Sequence, residues 1–275
     1  MTPSFLICGI EHCGTTLLSD FFRQTPHFDS GFEVGVLLSD KPRNFRSLEP
    51  FISNIRSGWG LNNNDLDEIC DTDNFADFYA GLWDKSTVVD KRKNKIFDKT
   101  PRYLVNLESV AKKGQFPIVI CYKDPRAIVA SDFMRSKQPD FAPWYKDYMP
   151  KKIGYMKRLY HNYTLAMEGK IPRCHSVALE NLCLDTRNTL EGVFAFIGEP
   201  FDLSYLTLKG LRYAHTKSPY IASNIPFEYL HQLSPKQIGS SRFRGVDVKL
   251  CGLDIIILPY RIDFSGNIEC SSCQS

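Results

Sequence analysis

The chain opens with a short apolar block that is followed by a glycine-containing loop and a helical pattern. Residues 5–8 form an unbroken apolar run, which predicts a buried strand. Residues 9–14 predict a loop, because glycine stands at both of its ends. From residue 15 to residue 24 the apolar positions recur on one face at helical spacing. The first unit is therefore predicted to be a strand, a loop and a helix in succession.

Strand and helix patterns alternate again further along the chain. Apolar runs predict strands at 116–122 and 175–179, and periodic apolar positions predict helices at 104–111, after Pro125, at 152–168 and at 190–197. Such alternation indicates a parallel sheet with helices on both faces. The sequence thus predicts a three-layer α/β fold, in which ligands bind at the carboxyl ends of the strands.

The length of the chain bounds its domain organisation. Its 275 residues and 31.5 kDa fit a single large domain, 1–275, that carries an elaborate insertion. Residues from about 40 to 95 are polar and aromatic, and they predict a helical or irregular insertion on the substrate side. A C-terminal segment at about 246–275 has strand character within 253–264 and carries no functional assignment.

Charge and cysteine usage exclude several classes of protein. The 34 basic and 31 acidic residues give a net charge of +3, which is too even for a general nucleic-acid binder. No apolar run is long enough to span a bilayer, and no basic region precedes the first apolar run as in a secretion signal. Nine cysteines without regular spacing argue against a disulfide framework, so we expect a cytoplasmic protein.

The loop at 9–14 is the first candidate binding site. Gly9 and Gly14 have the spacing of a phosphate loop, in which backbone N–H groups and a helix N-terminus hold an oxyanion. Thr15 and Thr16 can add hydroxyl donors, but Thr15 takes the place of the lysine that binds nucleoside triphosphates in Walker loops. A plain strand-to-helix turn is the alternative that the spacing leaves open. The paired threonines favour anion binding.

His12 and Cys13 suggest a second interpretation of the same loop. A His-Cys pair opens the loop of cysteine phosphatases, where the thiolate attacks phosphorus and a following arginine holds the phosphate. Ser19 occupies the position of that arginine here, so the required cation is absent. Cys13 is therefore interpreted as a small residue that lines the loop rather than as a nucleophile.

A second candidate anion site follows the apolar run at 116–122. Lys123 stands at the carboxyl end of this predicted strand, and Ser131 falls near the start of the next predicted helix. Together they can hold a second phosphate beside the first. A solvated basic turn, with Pro125 at a helix start, is the alternative for this segment taken alone.

The combination of segments resembles the sulfotransferases that use 3′-phosphoadenosine 5′-phosphosulfate (PAPS) as donor. The matching segments, in order, are His12-Cys13-Gly14-Thr15-Thr16, Lys99-Thr100-Pro101, 123–131, and Ala178-Leu179-Glu180-Asn181-Leu182 followed by 190–201. The layout is most similar to tyrosylprotein sulfotransferases and related bacterial enzymes. The resemblance runs from about residue 5 to residue 201 and implies a P-loop-like fold.

The resemblance implies a donor site that is built from both loops. The first loop would cradle the 5′-phosphosulfate of PAPS, and the second would grip its 3′-phosphate. A basic segment at 240–245 would close over the 3′-phosphate, and no metal is expected because protein cations replace it. The implied donor-binding residues are Gly9, His12, Cys13, Gly14, Thr15, Thr16, Lys123, Ser131 and Arg244.

The resemblance also implies which residues are catalytic. Glu33 falls where the family has the general base that removes the proton of the acceptor hydroxyl. Lys99 would stabilise charge on the transferring sulfuryl group, and a simple salt bridge to Asp98 or another acid is the alternative. His12 replaces the usual arginine or lysine of the first loop, so a permanent cation becomes a group that titrates near neutral pH. Lys123 replaces arginine in the second loop, which loses the bidentate fork but keeps the charge.

The implied activity is transfer of a sulfuryl group from PAPS to the hydroxyl of a carbohydrate, a tyrosine or a small alcohol. Two alternatives stay open on the sequence alone. A P-loop kinase or NTPase would need Mg²⁺, and the missing loop lysine counts against it. A nucleotide-binding relative without catalytic activity is kept open by the substitutions at His12 and Lys123.

Overall fold

A computed structural model describes residues 1–210, 212, 221, 223–240, 260–262 and 268–270. Contacts divide the chain into two compact units, Met1–Phe243 and Arg244–Ser275. The first unit holds a parallel sheet and the helices that surround it. In the second unit, the strands Tyr260–Ile262 and Ile268–Cys270 pair with each other in antiparallel fashion.

Strands and helices alternate along the first unit. In chain order they are β1 (Leu6–Gly9), α1 (Thr15–Gln24), β2 (Phe28–Asp29), α2 (Phe51–Trp59), α3 (Asn63–Cys70), α4 (Phe75–Lys85), β3 (Lys95–Ile96), β4 (Asp98–Lys99), α5 (Leu107–Lys112), β5 (Ile118–Tyr122), α6 (Pro125–Ser136), α7 (Phe141–Met167), β6 (Cys174–Ala178), α8 (Leu179–Leu184), α9 (Thr186–Phe196), α10 (Tyr229–Gln232) and α11 (Pro235–Ser240). Short 3₁₀ helices occur at Val36–Leu38, Pro42–Ser47, Pro101–Asn106, Leu203–Leu206 and Ile225–Phe227. Within the described residues, no helix combines the length and the apolar character needed to cross a membrane.

A sheet of four parallel strands forms the centre of the first unit, in the order β4-β1-β5-β6. Ile7 lies opposite Lys99, and Gly9 lies opposite Cys121. The carboxyl ends of β4, β1 and β5 therefore meet at the same edge of the sheet. The predicted α/β class with a central parallel sheet is confirmed.

The first predicted unit is confirmed, whereas the long helix differs from its prediction. The helix α7 begins at Phe141 instead of 152 and continues through Pro150. Proline normally interrupts a helix because it removes a hydrogen bond to the carbonyl four residues earlier. Here both Pro150 and Lys146 are exposed, so water can satisfy the carbonyl that loses its partner. The prediction of a start after the proline was wrong for this reason.

The segment at 40–95 contains the helices α2, α3 and α4. Their apolar faces are buried, and the largest fully buried side chains here include Phe51, Trp59, Phe78 and Tyr79. The Trp59 indole Nε1 donates a hydrogen bond of 2.6 Å to the carbonyl oxygen of Phe32. The segment thus contributes to the hydrophobic core and holds the chain that follows β2.

Aromatic packing fixes β1 against the helices on one side of the sheet. The Phe5 ring stacks on Phe97 with ring centroids 5.3 Å apart, and the Phe22 ring lies 4.5 Å from that of Phe5. On its other side, Phe22 stacks on Phe194 of α9 at 4.9 Å. Each such pair adds about 0.5–1.5 kcal/mol beyond the burial of its area. The loop between β1 and α1 is consequently anchored at both ends.

A fully buried carboxylate organises the edge of the sheet at β4. Asp98 accepts hydrogen bonds from the hydroxyls of Tyr79 and Tyr103, both at 2.6 Å, and from Thr100 Oγ1 at 2.8 Å. Burial raises the pKa of Asp98, and the hydroxyl donors oppose this rise because they stabilise the ionised form. The carboxylate thereby joins α4, β4 and the 3₁₀ helix Pro101–Asn106.

The same network continues to the segment that follows β2. Thr100 Oγ1 accepts hydrogen bonds of 3.1 Å from the backbone N–H groups of both Val34 and Gly35. The Tyr103 hydroxyl also accepts a hydrogen bond of 3.4 Å from the backbone N–H of Leu37. The chain around residues 33–37 is therefore held against the carboxyl end of β4.

Replacement of Gly9 by alanine tests how closely the loop after β1 approaches β5. The added Cβ would lie 2.2 Å from the backbone carbonyl oxygen of Cys121, which is fixed in the sheet. We expect Gly9→Ala to lower the free energy of unfolding by about 1–3 kcal/mol. Gly154→Ala is the control, because this α7 position has open space around it, and it should raise stability by about 0.5–1 kcal/mol. Urea denaturation followed by circular dichroism measures both; equal effects would contradict the prediction.

Replacement of Asp98 by alanine tests the buried network. The hydroxyls of Tyr79 and Tyr103 would lose their acceptor, and each orphaned group costs about 1–3 kcal/mol. We expect Asp98→Ala to lower the free energy of unfolding by about 2–6 kcal/mol in guanidinium chloride titrations, and Asp98→Asn by less. Asp67→Ala removes an exposed carboxylate paired with Arg46 and should change stability by about 1 kcal/mol or less. A similar loss in both alanine variants would refute the role of the network.

Candidate functional site

The loop after β1 lies directly against the end of β5. The backbone N–H of Ile10 donates a hydrogen bond of 3.2 Å to the carbonyl oxygen of Cys121. The Cys13 thiol donates to the same oxygen at 3.1 Å, and Cys13 is 1% exposed. Gly9 allows this close approach because any Cβ there would clash with Cys121. The loop backbone is thus packed against β5, with the Cys13 side chain turned inward.

Several backbone N–H groups of this loop are available to an oxyanion. In the part of the chain that the structure describes, the N–H groups of His12, Gly14, Thr15 and Thr16 donate to no protein acceptor. Gly14 precedes α1 with a φ of 85° and gives the helix no side-chain cap. The first N–H groups of a helix lack partners within the helix and carry partial positive charge. An oxyanion can supply the missing acceptors.

A buried lysine and a half-buried glutamate meet beside this loop. Lys99 Nζ donates a hydrogen bond of 3.0 Å to Glu33 Oε1, although the two residues lie on different segments. Lys99 is 1% exposed, and its ammonium group lies 4.3 Å from the centre of the Phe32 ring. Burial lowers the pKa of Lys99, and the carboxylate of Glu33 opposes that change. The Glu33 side chain is 23% exposed, so it reaches from the pair towards solvent.

Hydrogen bonds from α1 hold the chain just before Glu33. The Arg23 guanidinium donates 3.1 Å hydrogen bonds to the carbonyl oxygens of Ser30 and Gly31. It also donates to the carboxylate of Asp20 at 2.8 Å, and both side chains of this pair are buried. Arg23 therefore connects the helix that begins at the loop with the segment that carries Glu33.

A cavity of about 150 Å³ opens beside the end of β5. Lys123 and Ser131 line it, together with Arg135 of α6, Tyr229 of α10 and one carboxylate, that of Glu228. Lys123 is 7% exposed, and its ammonium group makes no hydrogen bond or ion pair with any described residue. Burial lowers the pKa of Lys123. Because a buried charge without a partner is costly, this cavity is suited to an anionic ligand.

The start of α6 is held by carboxylates that sequence reasoning did not assign. Glu180 accepts a hydrogen bond of 2.9 Å from the backbone N–H of Asp124, and Asp124 accepts one of 2.8 Å from that of Arg126. Arg126 also pairs with Asp124 through its guanidinium and lies 5.3 Å from the centre of the Tyr229 ring. Glu180 thus connects α8 with the second loop. Glu180 could have been predicted from the sequence, because it lies within the segment 178–182 that resembles the sulfotransferases.

The side chain of His12 is directed towards α6. His12 has a φ of 64°, and its Nε2 lies 3.7 Å from a carboxylate oxygen of Asp132. Arg135 Nη1 lies 2.6 Å from Nδ1 and 2.7 Å from Nε2 of the imidazole. Burial and the charge of Arg135 lower the pKa of His12, and Asp132 opposes this shift. The sequence analysis did not predict Arg135. Its position one helical turn after Ser131 places both side chains on the same face of α6 and could have indicated it.

The predicted residues fall into local groups at the carboxyl ends of the strands. Glu33 forms a pair with Lys99 at β4, and Lys123 shares a cavity with Ser131 at β5. Gly9 ends β1, and the loop after it and the first turn of α1 contain His12, Cys13, Gly14, Thr15 and Thr16. Arg244 lies outside the described residues. In the described part of the chain, no group of three or more His, Cys, Asp or Glu side chains converges as a metal site requires.

Solved structures with the same fold are sulfotransferases. The sulfotransferase domain from the Synechococcus PCC 7002 olefin synthase superposes with a TM-score of 0.62 at 16% sequence identity, covering 87% of this chain and 93% of that one. The sulfotransferase domain from the curacin biosynthetic pathway gives a TM-score of 0.61 at 14% identity, covering 88% of this chain and 96% of that one. Sulfotransferase STF9 from Mycobacterium avium gives 0.50 at 14% identity, covering 87% and 74%. At these identities the likeness shows the fold, which is that of the P-loop-like sulfotransferases.

The sequence itself matches a family profile over most of the first unit. No curated protein matches the chain by sequence comparison. The profile described as "Sulfotransferase family" matches residues 3–203, a range that contains every predicted site residue other than Arg244. This range also contains all strands of the central sheet. The chain therefore belongs to the sulfotransferase family.

Proposed function

We propose that this protein transfers a sulfuryl group from PAPS to an acceptor hydroxyl and releases 3′-phosphoadenosine 5′-phosphate (PAP). The observation that carries the proposal is the ammonium of Lys123, which has no hydrogen bond or ion pair among the described residues. Nearby, the N–H groups of His12, Gly14, Thr15 and Thr16 also have no acceptor among those residues. Two anion sites at neighbouring strand ends suit a donor with two separate anionic groups. Membership of the sulfotransferase family supports this choice of donor.

The residues of the chain divide the binding of PAPS between them. The N–H groups of the loop from Gly9 to Thr16 would hold the 5′-phosphosulfate, and the helix α1 adds its partial positive charge. Lys123 and Ser131 would hold the 3′-phosphate in the cavity at β5, and Arg244 is proposed for the same phosphate from the sequence. The bound donor supplies an activated sulfuryl group and a stable leaving group. The protein orients the donor and stabilises its negative charge.

The acceptor side of the proposed reaction depends on Glu33. Its carboxylate is partly exposed and can take the proton of an acceptor hydroxyl. Lys99 donates to one oxygen of Glu33 and so orients the carboxylate. We assign to Lys99 the stabilisation of negative charge that develops during transfer, since an ammonium group acts strongly where water is excluded. The acceptor class covers carbohydrate, tyrosine and small-alcohol hydroxyls.

Removal of the Lys123 charge tests the site for the 3′-phosphate. We expect Lys123→Ala to weaken PAP binding by about 10-fold to 150-fold, because one charge-assisted interaction is lost. The affinity for adenosine 5′-phosphate, which lacks the 3′-phosphate, should stay unchanged. Isothermal titration without magnesium measures both ligands, and Lys151→Ala, at an exposed lysine paired with Asp147, is the control. If the unaltered protein does not bind PAP, the proposed function fails.

Removal of the proposed base tests the catalytic role of Glu33. We expect Glu33→Gln to slow sulfuryl transfer by about 10²-fold to 10⁴-fold, which is typical for loss of a general base. The affinity for PAP should not change, because Glu33 lies on the acceptor side. Release of PAP from PAPS is followed with a simple phenol, a hexose and a primary alcohol as acceptors. Glu108→Gln alters an exposed glutamate on α5 and serves as the control. Equal rates in Glu33→Gln and the unaltered protein would rule out the role.

A further inference from the structure

Arg135, near the end of α6, contacts both the loop after β1 and the cavity at the end of β5. Its Nη1 is within 2.7 Å of both imidazole nitrogens of His12, in the loop after β1. Its side chain also lines the cavity that contains Lys123 and Ser131. The guanidinium thus lies between the two proposed anion sites, although the residue is 123 positions away from His12 in the chain.

The hydrogen bonds of Arg135 leave most of its donors unused. A guanidinium group has five N–H donors and no acceptor, so it can only donate to His12. A neutral imidazole offers one acceptor nitrogen, and a protonated one offers none. Nη1 lies almost equally far from both ring nitrogens, and a cation at this distance disfavours a protonated imidazole. Among the described residues, the N–H groups of Arg135 have no acceptor other than His12, so they can donate to a further ligand.

Among the described residues, Arg135 forms no ion pair, although Glu228 lines the same cavity. The nearby carboxylate of Asp132 is engaged elsewhere, because it accepts a 2.6 Å hydrogen bond from Tyr148 and lies 3.3 Å from the ammonium of Lys152. Lys152 in turn lies 3.2 Å from Glu11 of the same loop. The acidic groups around the loop are thus paired with residues of α7.

The loop itself lacks a permanent cation. His12 stands where the resemblance places arginine or lysine, and the adjacent guanidinium of Arg135 disfavours its protonated form. We infer that Arg135 supplies, from α6, the positive charge that the first loop lacks, and that it binds the 5′-anionic group of the donor. This inference rests on the proposed function, because it assumes a donor with a 5′-phosphosulfate. Arg135 is thereby a binding residue of the donor site, together with the loop N–H groups.

The experiment measures PAP binding by isothermal titration in single and double variants. Arg135→Ala should weaken PAP binding by about 10-fold to 100-fold, because a charge-assisted interaction with the 5′-phosphate is lost. Arg135→Lys, which keeps the charge without the fork, should lose less. Arg187→Ala removes a charge from an exposed ion pair on α9 and should bind PAP normally. Thermal melting of each variant shows that the fold is intact, since Arg135 is exposed.

Restoring a cation in the loop makes the test specific. If Arg135 replaces the missing loop cation, His12→Arg combined with Arg135→Ala should recover most of the lost PAP affinity. The same His12→Arg change combined with Lys123→Ala should recover little, because that variant lacks the 3′-phosphate contact. Unchanged binding in Arg135→Ala, or failure of the double variant to recover, would overturn the inference. Equal recovery in both double variants would also overturn it, since only net charge would then matter.

These outcomes are distinct from failure of the proposed function. If the unaltered protein does not bind PAP, the sulfotransferase proposal and the inference fall together. If the unaltered protein binds PAP and Arg135→Ala binds it equally well, the proposed function stands and only the role of Arg135 is lost. The titrations use the full chain and need no acceptor, so they do not depend on knowing the acceptor class.

Discussion

The hydrogen bonds to the buried carboxylate of Asp98 are the interaction on which the proposed acceptor side of the site depends. A carboxylate that is fully removed from water is tolerable only when its oxygens accept hydrogen bonds, and here three hydroxyls supply them. One of these hydroxyls, that of Thr100, also receives the backbone N–H groups of Val34 and Gly35. The position of Glu33 therefore follows from a network that is satisfied inside the core. Lys99, next to Asp98 in β4, is brought to Glu33 by the same arrangement.

The proposed PAPS-binding side depends on the opposite condition, since its N–H groups and its lysine have no hydrogen-bond or ion-pair partners among the described residues. The net charge of the whole chain is only +3, so long-range attraction contributes little to the binding of an anion. Instead, the unused N–H groups of the loop and the buried ammonium of Lys123 concentrate positive potential at the strand ends. Burial makes each of these groups more effective, because water screens them less. Arg135 extends this local field from α6 towards His12.

Several elements of the fold could be predicted from local patterns, and others could not. The unit β1–loop–α1 was predicted because a buried strand, paired glycines and an amphipathic helix each leave a distinct pattern. The two-residue strand β4 was not predicted, because Asp98 and Lys99 are charged and show no apolar strand pattern. Its polar residues are buried only because other segments of the chain cover them. The start of α7 was missed because an exposed Pro150 is tolerated within the helix.

The sequence by itself determined the family, the parallel α/β sheet and the two loops that follow β1 and β5. Such loops can be predicted from a short stretch of sequence, because each directly follows an apolar run that predicts a strand. Only the tertiary structure decided that Lys99 pairs with Glu33, 66 positions away, and that Arg135 reaches His12 across 123 positions. Contacts between distant residues depend on how helices and strands pack. No periodicity or spacing along the chain encodes these contacts. The charged groups of the candidate site therefore come together only in the folded protein.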